Sequence, residues 1–218
     1  MIALPSPNFT ERKLPVSLLI VHYTGMPTAQ AALDRLRDPA AQVSAHYVID
    51  TDGTVYALVD EAKRAHHAGV SYWRGITDVN SASVGIELVN KGHEFGYTPF
   101  PDAQTDALTA LCGDILSRHR ITAVLGHSDV APTRKQDPGE LFPWEKLAEN
   151  GIGFWTNDFC PPVASAREML SSIGYDTTDL NAATTAFQRH FYPEALLSDG
   201  TRTLERMSAV LKGISHDL

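Results

Sequence analysis

Leu125-Gly126-His127-Ser128-Asp129, continued by Arg134-Lys135-Gln136-Asp137-Pro138-Gly139, is the stretch from which the rest of the chain is read. A histidine follows the apolar run Ile121 to Leu125. Ten positions after that histidine, an aspartate stands before Pro-Gly, and a lysine lies two residues ahead of the aspartate. Far upstream, the apolar run Val16 to Val21 ends at a second histidine, His22. Short apolar runs of this kind read as buried strands, so both histidines arrive at strand ends. Two imidazoles and a carboxylate from a turn suit Zn²⁺, which takes nitrogen and oxygen donors at about 2.0–2.2 Å; a catalytic site keeps three protein ligands and a water. Taken singly, each has a plainer reading: a histidine after a strand is commonly structural, and Asp-Pro-Gly is commonly a turn.

Outward from this stretch, Thr28 to Arg37 has helical spacing with Thr28 as cap. Ala45–Asp50 and Val55–Val59 flank an Asp-Gly pair, a hairpin signal. Asp60 to Ala82 shows no period and reads as a long loop carrying Arg64, His66, His67, Trp73 and Arg74. Ser83 to Asn90 is a strand in which Val84, Ile86 and Leu88 share one face and Glu87 takes the other. A carboxylate in such a strand either faces solvent or has a role. Pro101 to Arg118 is an amphipathic helix, and Trp144 to Asn150 reads as a further helix ended by Gly151. Three apolar runs separated by helices predict a mixed β-sheet with helices on both faces. After a linker at 157–163, helices at 164–172, 180–191 and 201–212 predict a small three-helix bundle. The expected division is a catalytic domain at 1–156 and a helical module at 164–218. Some fifty residues make a marginal core, so the module is expected to lean on the larger domain.

At 218 residues, the length fits one domain with an appendage, and 43% apolar with 20% charged residues is an ordinary globular composition. A net charge of −8 opposes nucleic-acid binding, which needs a basic footprint. Cys112 and Cys160 lack the spacing of a disulfide framework or zinc knuckle and are expected to be reduced, Cys112 in the core. Met1 to Pro7 does not read as a secretory signal, and no run approaches the roughly 18 apolar residues of a membrane span. The expectation is a cytoplasmic monomer with no membrane partner.

Val21-His22-Tyr23-Thr24, Ser44-Ala45-His46-Tyr47-Val48-Ile49, Val84-Gly85-Ile86-Glu87-Leu88, Gly126-His127-Ser128-Asp129 and Lys135-Gln136-Asp137-Pro138-Gly139, with Phe142 and Trp144, resemble a known family in order. It is that of the zinc-dependent N-acetylmuramoyl-L-alanine amidases of type 2, related to phage T7 lysozyme and to peptidoglycan recognition proteins. The resemblance spans roughly residues 15–150. The segment 164–213 is similar to a three-helix peptidoglycan-binding module through Ile173-Gly174-Tyr175, Ala186-Phe187-Gln188 and Asp199-Gly200 before Thr203.

The resemblance implies one zinc ion on His22, His127 and Asp137, with water as fourth ligand. It implies cleavage of the amide between the lactyl group of N-acetylmuramic acid and L-alanine. Zinc lowers the pKa of bound water to about 7. Glu87 is then the proton acceptor and donor, and Lys135 faces the developing oxyanion. Tyr47, His67 and Trp73 are the implied substrate contacts, Tyr47 being equally a core aromatic; Arg74, like Arg64, is read from its place in the loop as a partner for peptide carboxylates. Where relatives often carry tryptophan before the loop histidine, this chain has His66.

Three functions compete: a cytoplasmic amidase acting on soluble 1,6-anhydro muropeptides, an exported or phage-type lytic amidase acting on intact peptidoglycan, and a non-catalytic recognition module. The last is disfavoured because all three zinc ligands are present. If the metal reading is right, His127→Ala loses both zinc, by metal analysis, and turnover.

Overall fold

The computed structural model describes residues 1–198 and 200–216, so Asp199 of the expected turn lies outside the described residues. Its central sheet holds β1 (Ile2–Ala3), β3 (Leu18–Tyr23), β4 (Tyr47–Ile49), β5 (Val55–Ala57), β7 (Ser83–Leu88) and β8 (Ala123–Gly126). The order is β1-β5-β4-β7-β3-β8; only the β4–β5 hairpin runs antiparallel. The expected mixed sheet is therefore present, and the three apolar runs lie side by side as β7, β3 and β8.

Parallel register decides what shares a face. Ile20 pairs with Gly85 and Leu125, and His22 pairs with Glu87. Side chains alternate along strands, so Leu18, Ile20, His22, Ser83, Gly85 and Glu87 point to one side. Leu19, Val21, Val84, Ile86 and Leu88 point to the other. That second face is covered by α4 (Asp102–Arg118), through Leu108, Leu111, Cys112 and Ile115, and by Trp144 and Leu147 of α6 (Trp144–Glu149). Burial pushes the Cys112 thiol up to about 12, and both cysteines are free.

On the first face, α1 (Ala29–Arg37) packs Leu33 and Leu36 against Val48. Its cap is Thr28, whose hydroxyl oxygen accepts from Ala31 N–H. The remainder is covered by α7 (Ala166–Ile173), α8 (Leu180–Phe191) and α9 (Thr203–His216). Met169, Phe187 and Val210 from these helices, and Tyr175 between the first two, form one cluster with Leu18, Ile20, Trp73 and Leu125. The linker thus separates two stretches of chain but not two cores.

The segment read as a long loop is more ordered than expected. Within it, β6 (Lys63–Ala65) pairs antiparallel with β2 (Phe9–Glu11), and α2 (Val79–Ala82) is capped by Asp78. Lys-Arg-Ala carries no apolar alternation, so the strand depends on its partner rather than on its own pattern. α3 (Gly92–Phe95) and α5 (His127–Val130) are single turns following β7 and β8. Among the described residues no helix is long and apolar enough to cross a membrane.

Uncovering Leu18, Ile20, Trp73 and Leu125 costs about 1.5–3 kcal/mol each, comparable in sum with a domain's whole stability. A chain ending at residue 156 is therefore expected to lose its near-UV circular dichroism, and the full chain to unfold in one cooperative thermal transition.

Candidate metal centre

The face bearing His22 and Glu87 opens at the carboxyl ends of the strands, where ligands collect in α/β sheets. β3 delivers His22 in register with Glu87 of β7. β8 ends one residue before His127, the first residue of α5. The chain then turns through Arg134 and Lys135 to Asp137, held back on α5 by Ser128 N–H donating to the Asp137 carbonyl at 2.9 Å. Gly126 permits that approach: a Cβ there would stand 2.7 Å from Pro138 Cδ.

The result is a closed triangle of donor atoms. His22 Nδ1 lies 3.0 Å from His127 Nδ1 and 3.0 Å from Asp137 Oδ2, and His127 Nδ1 lies 3.1 Å from Asp137 Oδ2. All three residues are buried. Ligands about 2.0–2.1 Å from a tetrahedral ion stand about 3.3 Å apart, so the triangle needs to open by only a few tenths of an ångström to hold zinc. Among the described residues, these three are the one group of histidine, cysteine and acidic side chains so placed. The donor set fits a catalytic zinc with one position left for water.

Both imidazoles are anchored from behind. His127 Nε2 lies 3.0 Å from the Ala68 carbonyl, which also accepts from Arg134 at 3.2 Å. His22 Nε2 lies 3.0 Å from Nδ1 of His67. Burial, helped by His127, pushes His22 down to about 4. Burial works to raise the Asp137 carboxyl, but His127 and His22 outweigh it and hold the group well below its ordinary range.

Glu87 stands beside the triangle, only partly exposed, with a buried Oε2 that has no hydrogen-bond partner. Burial, then the charge of Asp137, pushes its carboxyl well above the usual range. Glu87, His127, Asp137 and the exposed Lys135 all line a cleft of about 440 Å³ that also takes in Arg35 and Arg134.

Other residues expected at the site stand elsewhere. Tyr47 pairs with Ile86 and so lies on the opposite face of the sheet, its hydroxyl donating to Glu61 at 2.7 Å. Trp73 is 3% exposed and packs edge-on against Tyr175 in the core. Arg74 donates through Nε to the Ile173 carbonyl at 2.8 Å, against α7. These two serve the contact with the helical module, and neither lines the cleft. His67 lines the cleft, but both its ring nitrogens are engaged inside the protein.

Reading the sequence missed Asp129. Its carboxylate is fully buried and accepts from Gly126 N–H at 2.7 Å, Tyr175 Oη at 2.6 Å and His190 Nδ1 at 2.7 Å. Tyr175 and His190 belong to the helical module, and nothing local to Asp129 announces them.

A buried triangle of two histidines and an aspartate at the strand ends, able to hold a metal ion and with an unpartnered glutamate beside it, has the make-up of a hydrolase site. The family model for N-acetylmuramoyl-L-alanine amidase matches residues 12–140, and the chain belongs to that family. It is 37% identical over 211 residues to the N-acetylmuramoyl-L-alanine amidase AmiD of Escherichia coli, covering 82% of this chain and 75% of that protein. It is 35% identical over 163 residues to the 1,6-anhydro-N-acetylmuramyl-L-alanine amidase AmpD of Haemophilus influenzae, covering 65% and 86%. The solved complex of Escherichia coli AmiD with anhydro-N-acetylmuramic acid-L-Ala-D-γ-Glu-L-Lys superposes with a TM-score of 0.79 at 33% identity, covering 94% of this chain and 98% of that one. The helical segment is thus included in the likeness.

Behind the centre, the buried His46 accepts Gly85 N–H at Nδ1 (2.9 Å), and burial pushes it down to about 4. A histidine held neutral stabilises the fold fully above its unfolded value near 6.5. That contribution is lost as pH falls through about 4 and amounts to about 3 kcal/mol. The melting temperature should fall between pH 6.5 and 4, and more shallowly in His46→Gln.

Proposed function

We propose that this chain hydrolyses the amide between N-acetylmuramic acid and L-alanine in soluble muropeptides carrying the 1,6-anhydro sugar, with one zinc ion on His22, His127 and Asp137. The observation that carries the reading is Glu87, an unpartnered carboxyl in strand register with His22 at the donor triangle. The anhydro preference is supported by the substrate named for the AmiD complex and by the name of AmpD. The cleft, about 440 Å³, has the size of a small-molecule site rather than a long polymer groove.

A zinc ion bound there supplies Lewis acidity and a water activated at neutral pH. Glu87 takes the proton that water gives up, holds it on its carboxyl and passes it to the departing nitrogen of L-alanine. Burial raises the carboxyl, which favours holding the proton once it is taken up. Lys135, on the same wall, places fixed positive charge where the carbonyl oxygen gains negative charge. The water's oxygen forms a bond to the carbonyl carbon, the C–N bond breaks, and the products are the lactyl carboxylate of the sugar and the free amine of the peptide.

Glu87→Gln removes the proton carrier while keeping the shape. It should retain zinc by metal analysis and lose about 10²- to 10⁴-fold in kcat on a defined anhydro-muropeptide. Release of peptide from intact sacculi, with the soluble fragment left uncut, would overturn the anhydro reading in favour of a lytic amidase.

A further inference from the structure

We propose that His67 and Ser83 are positioning residues that select the metal-binding tautomer of His22; this rests on the zinc reading above. The protons along the path are fixed by elimination. Ser83 Oγ lies 2.6 Å from the Val79 carbonyl, which can only accept, so the hydroxyl hydrogen goes there. The oxygen then offers a lone pair to His67 Nε2 at 3.2 Å, and that nitrogen carries the hydrogen. His67 Nδ1 is therefore bare, and it faces His22 Nε2 at 3.0 Å, which must donate. The one nitrogen of His22 left without a hydrogen is Nδ1, the atom 3.0 Å from both His127 Nδ1 and Asp137 Oδ2.

The two ligand histidines are oriented by different means. His127 Nε2 meets a backbone carbonyl, an acceptor that cannot change role. His22 meets another imidazole, which accepts or donates according to its own tautomer, so a further group must decide it. Ser83 is that group, and α2 supplies the carbonyl that turns its hydroxyl outward.

The surroundings hold the ring in place. Asn80 Oδ1 accepts from both His67 N–H at 3.0 Å and Ala68 N–H at 2.8 Å. Gly85 lies under the imidazole: a Cβ there would sit 2.4 Å from His67 Cγ, so the ring needs a strand position without a side chain. Partners of metal-binding histidines fix ring orientation and tautomer, and their loss typically costs 10- to 100-fold in metal affinity.

The test is zinc affinity by chelator competition, with apo-protein melting and ¹⁵N spectra of the histidine rings recorded in parallel. His67→Leu, which has no acceptor, should bind zinc about 10- to 100-fold more weakly. His67→Asn, whose Oδ1 can accept near the place of Nδ1, should recover most of that loss although it packs less well. Ser83→Ala should fall between them and show mixed His22 tautomers in the apo protein. Wild-type affinity in His67→Leu, or equal losses in the leucine and asparagine variants, would overturn the assignment and leave His67 as packing. A wild-type chain that takes up no zinc would instead sink the metal reading itself.

Discussion

Three electron-rich atoms, from the buried His22, His127 and Asp137, are held about 3 Å apart. Such atoms tolerate one another only with positive charge between them, a proton or a cation. The crowding is therefore a constraint the fold must maintain against repulsion. It is maintained from three directions: the strand under His22, the carbonyl of Ala68 behind His127, and the backbone bond from Ser128 to Asp137.

Parallel pairing converts that constraint into chemistry. Because His22 and Glu87 are register partners, a carboxyl and an imidazole of the donor triangle emerge side by side from adjacent strands. Neither can be displaced without moving the sheet. The same alternation sends Val21, Ile86 and Tyr47 to the far side, where α4 and α6 cover apolar groups. One face of the sheet is thus given to packing along its whole length. The other is divided between a reactive end and a hydrophobic body covered by the C-terminal helices.

Much of this is visible in the linear sequence, and the gaps have physical causes. Strand ends, helix stripes and the Asp-Gly hairpin are local patterns, so His22, Glu87 and His127 could be placed by counting. Tyr47 could not, because period two separates faces without saying which face faces the site; register with Ile86 decides that. Trp73 and Arg74 looked like cleft residues because they are aromatic and basic in a loop, yet a loop's path depends on distant partners, here Gly174 and Tyr175. β6 escaped notice because its pairing energy comes from Phe9–Glu11, some fifty residues away. The work of His67 was hidden because it links positions 22, 67 and 83, close only in space. Gly85, an unadorned position inside a strand, was the one local sign that something packs hard against the sheet there.

Asp129 joins the two parts of the chain through a single carboxylate, two residues from His127, that takes hydrogen bonds from Tyr175 and His190. The His190 ring also stacks on Trp144 at 3.7 Å between centroids. An appended recognition cassette can be swapped for another without disturbing the enzyme that carries it. This one cannot: replacing it strips a buried anion of two donors and removes a wall of the enzyme's own interior. The two stretches therefore constrain each other's evolution as one inheritance unit, and the helices are free to diversify only on the side turned away from the sheet.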